Sequence, residues 1–424
     1  SAELDLRWNW NTPFLLSPHN PDVFYTAANR VMKSTQRGDN LYSISPDLSK
    51  KQRAKIDTSM RRTGGITLDA TGAETYGTVV ALAESYVRPG FLWAGTDDGN
   101  VWFTRSDGAA WEPIPSTRFA GLPAGDLYVA RIEPSHYDSL TAYVAFDNHR
   151  WNDFTPYLYV TADGGRTFRS VVNDLPKDGV DNVHVVREDP VNRDLLYVGT
   201  ARAAYVSLNR GQNWSRFMTG LPTVPVYDLQ VHPRDRELIA ATHGRGFWIV
   251  DVAPLQQLNA TVAAKNVHLF APRRAFEYGE GPQMGASSNG TGNKLFEAPS
   301  PQHGADIIYR LASAARDTVR ILITNGAGDT IRSLNGPRTA GVHRVVWDLR
   351  GTARPAVLTM AARRDSALVA QRARFAIDSL ERVGKIPAQV ATAMRQIASG
   401  QAPPVGFGGG GGCGAAAMTA RLGP

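Results

Sequence analysis

The chain has 424 residues, 42% of them hydrophobic and 20% charged, a globular composition that excludes a disordered chain. No run of about 18 apolar residues occurs, so no transmembrane helix is expected. A single cysteine, Cys413, rules out a disulfide framework and a multi-cysteine metal centre, and the nine histidines show no HxH, HxxxH or HExxH spacing. The net charge of +7 belongs to residues 350–424, where ten Lys and Arg face three Asp and Glu, while the first 349 residues are balanced. At about 150 residues per domain, two or three domains are expected.

Residues 1–252 repeat. Four segments share the order Ser/Thr, any residue, Asp or a substitute, any residue, Gly, two further residues, then a large apolar side chain. Thr161, Asp163, Gly165 and Phe168 fit it fully; Ser207, Asn209, Gly211 and Trp214 place Asn for Asp. Thr104, Ser106, Gly108 and Trp111 place Ser there, and Ser34, Gln36, Gly38 and Leu41 place Gln. The chemistry is that of a hairpin. The short polar side chain bonds the turn backbone, glycine supplies a backbone angle that other residues resist, and the aromatic residue packs beneath. Each unit follows an apolar strand: VFYTAA, LWAGT, TPYLYVT or LLYVGT. Strand, Pro-containing turn, strand, hairpin and strand at about 45 residues make one blade of a β-propeller. Five blades are expected near 8–46, 76–117, 127–172, 182–218 and 226–252, with residues 47–75 as a polar loop between the first two.

Residues 253–300 are rich in Ala, Gly, Ser and Asn and read as a linker. Within 301–350, strands are expected at 306–311, 318–324 and 343–349, with turns at 325–328 and 335–337, as in a small antiparallel sandwich. Residues 351–424 read as a basic helical segment and a glycine-rich tail. The helical part covers 357–399, with Val369, Ala373, Ala376, Ile377, Leu380 and Val383 on one face, Pro387 opening a second helix and Gly400 ending it. The five glycines at 408–412 cost heavily in entropy to order, so neighbours are expected to hold them.

Several groups could carry chemistry. A glycosidase needs two carboxylates about 5–10 Å apart. Glu84, Asp97, Asp98, Glu133, Asp147, Glu188 and Asp189 are available, but no spacing pairs them. The segment 95–100, GTDDGN, lacks the spaced acidic ligands of a calcium loop and reads as a tight turn. No phosphate-binding glycine loop is present, so no nucleotide and no other cofactor is expected. Trp151 and Phe154, in a polar and aromatic loop, suit a contact surface. His243 and Arg245, in the glycine-rich ATHGRGFW, either face the channel or shape the end of the last blade. Arg363, Arg364, Arg372, Arg374 and Arg382 lie on the expected basic helix. They form either a solvated face or a contact to an acidic protein or an anionic membrane surface. Nucleic acid is not expected, because aromatic interleaving is poor.

The repeat resembles the Asp-box (BNR) repeat of sialidases, sortilin-type VPS10 domains and related bacterial propellers. The strings SPHNPDVFYTAANRVMKSTQRGDN, FLWAGTDDGNVWFTRS, GLPTVPVYDLQVHPRDRELIAATHGRGFWIVDVAPLQQL and AGVHRVVWDLR extend the resemblance over about residues 4–350. They resemble large secreted two-propeller bacterial proteins, often called VPS10-like or glycosyl hydrolases, in which a small Ig-like sandwich follows the propellers. The resemblance is to the C-terminal part of such a longer protein, so either further blades complete the ring or the five close on themselves. It implies an all-β fold in an extracytoplasmic location, periplasmic or secreted. The arginine string that opens a sialidase site is absent, and VARIEPS at 129–135 is no substitute. The resulting expectation is a non-catalytic scaffold or protein-interaction module, an accessory subunit of a larger membrane-associated complex. The alternatives are a sialidase-like glycoside hydrolase and a sortilin-like peptide-binding receptor; fold alone does not decide among them.

Overall fold

A computed structural model describes residues 6–59, 75–276, 302–352 and 360–398, apart from the side chains of 360–366 and 397. The chain divides into two compact units, one of residues 1–274, 307–315 and 339–344, the other of the remainder.

The first unit is a succession of small antiparallel sheets. The first sheet joins β1 (Phe14–Leu16), β2 (Phe24–Ala27), β3 (Val31–Ser34) and β4 (Tyr42–Ser43), followed by a short helix, α1 (Arg53–Thr58). The second joins β5 (Val79–Glu84), β6 (Leu92–Thr96), β7 (Val101–Thr104) and β8 (Glu112–Ile114). The third joins β9 (Tyr128–Pro134), β10 (Ala142–Asn148), β11 (Asp153–Thr161) and β12 (Arg169–Ser170). The fourth joins β13 (Val183–Glu188), β14 (Leu196–Thr200), β15 (Ala204–Ser207) and β16 (Ser215–Arg216). The fifth, of three strands, joins β17 (Val226–His232), β18 (Glu237–Thr242) and β19 (Phe247–Asp251).

Each sheet pairs its strands in chain order and packs face to face on the next, the sheet arrangement of a β-propeller. Four separate apolar cores fill the gaps. Ala27, Val31 and Val79 join the first two sheets; Trp93, Phe103, Ile132 and Phe146 join the second and third. Tyr143, Leu158, Val186 and Val198 join the third and fourth, and Tyr197, Val206, Val226 and Leu229 the fourth and fifth. Alternation explains this, because a strand buried on both faces sends odd and even residues to different neighbours. Gly95 and Gly199 stand where a neighbouring sheet approaches closely; a Cβ on Gly95 would lie 2.3 Å from Val129 Cγ1.

A bulge recurs in the first strand of each later sheet, between Val79 and Ala81, Val129 and Arg131, Val183 and Val185, and Val226 and Asp228. One extra residue there turns the side chains that follow onto the other face.

The stretch read as a linker contains α2 (Ala253–Gln257), α3 (Ala260–Ala263) and β20 (Val267–Leu269). Asn259 caps α3 by accepting from the Val262 N–H. β20 pairs with β21 (Ala305–Leu311), setting Val267 opposite Leu311. In the second unit, β22 (Val319–Thr324) pairs with β23 (Thr330–Gly336) around a turn in which Asn325 Oδ1 accepts from the Ala327 and Asp329 N–H groups. Residues 335 and 336, expected in a turn, are the end of a strand, with Asn335 opposite Arg320. β24 (Gly341–Trp347) adds to the sheet of β20 and β21.

The second unit also holds α4 (Met360–Arg382) and α5 (Ala388–Ala398). The face of α4 that the sequence marks as buried splits: Ile377 is buried, while Val369, Leu380 and Val383 remain exposed. The glycine run, Cys413 and the second half of the linker lie outside the described residues.

Candidate functional site

The four repeated hairpins share one hydrogen-bond scheme. The opening hydroxyl is buried and accepts from the glycine N–H four residues on: Ser34 from Gly38 at 3.1 Å, Thr104 from Gly108 at 3.2 Å, Thr161 from Gly165 at 3.0 Å and Ser207 from Gly211 at 2.8 Å. The third residue ties the far side of the turn. Asp163 accepts from the Arg166 and Thr167 N–H groups at 2.9 and 3.0 Å, Asn209 from Asn213 at 2.9 Å and Ser106 from Ala110 at 3.0 Å. Partial burial raises the Asp163 carboxyl, but bonds from Thr167 and its neighbours outweigh this and hold it at about 2. The four glycines have φ between +77° and +109°.

The aromatic position does more than pack beneath its own turn. Trp111 Nε1 donates to Ile44 O at 2.9 Å, and Trp214 Nε1 to Val171 O at 2.8 Å; both acceptors belong to the preceding sheet's outer edge. Phe168 has no such donor, and Arg118 bonds Gly165 O at 2.6 Å instead. The hairpins therefore latch consecutive sheets together.

Strand direction places these hairpins at one end of the sheets. The turns between second and third strands, and the segments entering each first strand, fall at the other. Trp151, Phe154, His243 and Arg245 all lie at this entry end. Trp151 is 63% exposed and donates to Asp126 O at 3.3 Å, and Phe154 lies 6.5 Å from the His149 ring. Buried Asp147 lies 2.7 Å from His149 Nδ1, accepts from Asn182 at 3.0 Å and stands 3.5 Å from His184 Nδ1. His184 stacks on Tyr227 with centroids 4.3 Å apart, and His243 lies 5.4 Å beyond. Arg245 accepts from Trp248 Nε1 through its backbone oxygen. Asp97 and Asp98 are also at this end. Burial pushes the Asp97 carboxyl up to about 7 although the Gly77 and Thr78 N–H groups bond it.

Nearer the middle of the first strands, an ion network crosses three sheets. Arg187 donates to Glu133 at 2.6 Å, Asp228 at 3.0 Å and Leu229 O at 2.6 Å, and Arg131 reaches Asp228 at 2.9 Å. Glu188 accepts from Ser135 Oγ at 2.7 Å and the His136 N–H at 2.6 Å; burial raises its carboxyl to about 7. Tyr86 stacks on His136 with centroids 3.7 Å apart. The sequence singled out Glu133 and Glu188 but not Arg131, Arg187 or Asp228. The available signal was the i, i+2 pair Arg131 and Glu133 in ARIEPS, which puts both on one face of a strand.

Arg372, Arg374 and Arg382 are exposed on α4, while the side chains of Arg363 and Arg364 lie outside the described residues. No group of three or more His, Cys, Asp or Glu suited to a metal ion occurs among the described residues. No described helix is long and apolar enough to cross a membrane.

No protein-family model matches the chain, and no curated protein matches it. Parts of several solved structures are similar to it. The GH74 xyloglucanase from Xanthomonas campestris is 16% identical with a TM-score of 0.41, over 56% of this chain and 36% of that one. An ancestral GH74 enzyme is 14% identical with a TM-score of 0.38, over 84% of this chain and 41% of that one. YCF48 from Cyanidioschyzon merolae is 19% identical with a TM-score of 0.29, over 41% of this chain and 52% of that one. The chain thus spans about a third to a half of the length of these structures.

Proposed function

We propose that the chain is a non-catalytic Asp-box propeller module of an extracytoplasmic protein, with an Ig-like sandwich and a helical tail, whose role is to hold a place in a larger assembly. The observation that carries this reading is the state of its end sheets. In register, Phe247 and Ile249 of β19 take the positions of Val101 and Phe103 in β7 and of Ala204 and Val206 in β15. Those four are at most 7% exposed, whereas Phe247 is 76% and Ile249 62% exposed. Phe14 of β1 takes the position of Ile132 and Leu229, which are 2% and 1% exposed, yet is itself 74% exposed. Two faces built to pack between sheets therefore stand uncovered, and apolar area of this kind favours a partner surface.

The carboxylates support a structural role. Glu133 is bound by Arg187, Glu188 by Ser135 and His136, Asp97 by Gly77 and Thr78, and Asp147 by Asn182 and His149. Each is engaged by its own neighbours.

The test is retention of partners from native envelopes by the wild-type chain and by a chain carrying Phe247→Asp and Ile249→Asp. Stoichiometric partners held by the wild type and lost from the variant are expected. Equal retention, a wild-type chain that holds nothing, or turnover of glycosidic substrates would overturn the reading.

A further inference from the structure

In the second unit, α4 carries an exposed stripe that its own hairpin does not cover. Leu368, Arg372, Phe375 and Ser379 follow one another at intervals of three or four residues and share one helix face, with Val369 beside them and Val383 just past the helix end, its N–H bonded to Ser379 O at 3.2 Å. Phe375 is 75% exposed, Val369 65%, Val383 62% and Leu368 48%. From Leu368 to Val383 the stripe is about 22 Å long at 1.5 Å per residue. α5 occupies a different side: Ile377, Ala391 and Ala393 are buried, and Arg395 of α5 bonds Asp378 at 2.7 Å and also Glu381. The two acids are thereby neutralised. Arg372, Arg374, Arg382 and Lys385 are exposed and have no ion pair among the described residues.

We infer that α4 docks on an anionic lipid surface, lying in the plane of the bilayer interface with Phe375, Leu368, Val369 and Val383 below the headgroups. Large apolar side chains interleave with cations on one face, and Arg372 sits within the stripe itself. Protein interfaces also enrich Arg and aromatic residues, so the stripe alone does not choose its partner; the positive excess of the segment does. A bilayer boundary accepts both, because arginine stems lie along apolar surface while the guanidinium groups reach the phosphates. Charge points the same way, since the whole excess of +7 lies in residues 350–424. This inference stands apart from the propeller reading, which concerns the first unit.

The test is co-sedimentation of the full chain with vesicles of phosphatidylcholine alone and of phosphatidylcholine mixed with phosphatidylglycerol. Binding to the mixed vesicles, weakened by salt and absent from the neutral ones, is expected. Phe375→Glu with Val383→Glu should abolish it, with helix content unchanged by circular dichroism because both positions are exposed. Arg372→Gln with Arg382→Gln, which leaves the apolar stripe intact, should weaken it by at least about tenfold. A wild-type chain that stays in solution with both vesicles, equal binding to both, or binding that survives both pairs of substitutions would overturn the inference.

Discussion

Arg131 and Asp228 lie 2.9 Å apart although they stand on the first strands of the third and fifth sheets, with a whole sheet between them in the chain. Arg187, from the sheet between, closes the triangle by donating to the same Asp228 oxygen at 3.0 Å and to Glu133 at 2.6 Å. The members are not equally sheltered: Glu133 is 1% exposed, Arg187 14% and Asp228 46%. Arg187→Ala strands a buried carboxylate and should destabilise the chain by about 3–5 kcal/mol. Asp228→Asn acts on a half-exposed partner and should cost no more than about 1 kcal/mol. Urea unfolding of both variants checks the contrast.

Glycine in the turns of the first unit meets two separate demands, which can be pulled apart. Gly220 has φ +81° and open space where a methyl group would stand, whereas Gly165 has φ +83° and its Cβ would meet Ile114 Cδ1 at 2.6 Å. Gly220→Ala should therefore cost the left-handed backbone alone, about 1–2 kcal/mol. Gly165→Ala adds a clash at the seam between second and third sheets, so its loss should be clearly larger. Thermal unfolding of the two variants decides it.

The hairpin latch predicts an asymmetry among the aromatic positions. Trp214→Phe keeps an aromatic ring, though a smaller one, and leaves Val171 O without the indole donor, and should cost about 1–3 kcal/mol. Phe168 makes no such bond, and the corresponding carbonyl tie runs from Arg118 to Gly165 O. Phe168→Leu should then lose packing alone, while Arg118→Met loosens the same seam. Hydrogen exchange at residues 161–168 should rise in the Arg118 variant.

What could be read from the sequence follows the range of each interaction. The hairpins were legible because Thr161, Asp163 and Gly165 bond within five residues of one another, so their spacing is their structure. The reach of Trp111 and Trp214 to the preceding sheet was not, since a local motif does not state what lies beside it. The network of Arg131, Arg187 and Asp228 was hidden more deeply. Its members sit on separate sheets, and the bulges between Val129 and Arg131 and between Val226 and Asp228 shift the alternation by one residue. In the helical segment, apolar spacing put Ile377 on one face with Val369 and Val383 but could not tell that Ile377 would be buried and the other two left exposed.

Two buried carboxylates set an expectation for pH. Burial raises Glu188 from 4.5 to about 7, and Asp97 from 3.8 to about 7. A carboxyl whose folded value exceeds its unfolded one favours folding while protonated. Its penalty is absent below the unfolded value and grows as pH rises towards the folded one. Stability from these two groups should therefore fall between about pH 4 and 7 and level off above. His136 works in the opposite sense, because burial lowers it from 6.5 to about 4, so its contribution is lost as pH falls through that window. Glu188→Gln removes one of the opposing terms. Its thermal midpoint, measured against pH, should lose part of the decline seen in the wild type on the way up to pH 7, while the acid-side loss due to His136 persists. A variant whose profile runs parallel to the wild type throughout would show that Glu188 is ionised in the folded chain at ordinary carboxylate pH, with Ser135 and the His136 N–H outweighing its burial.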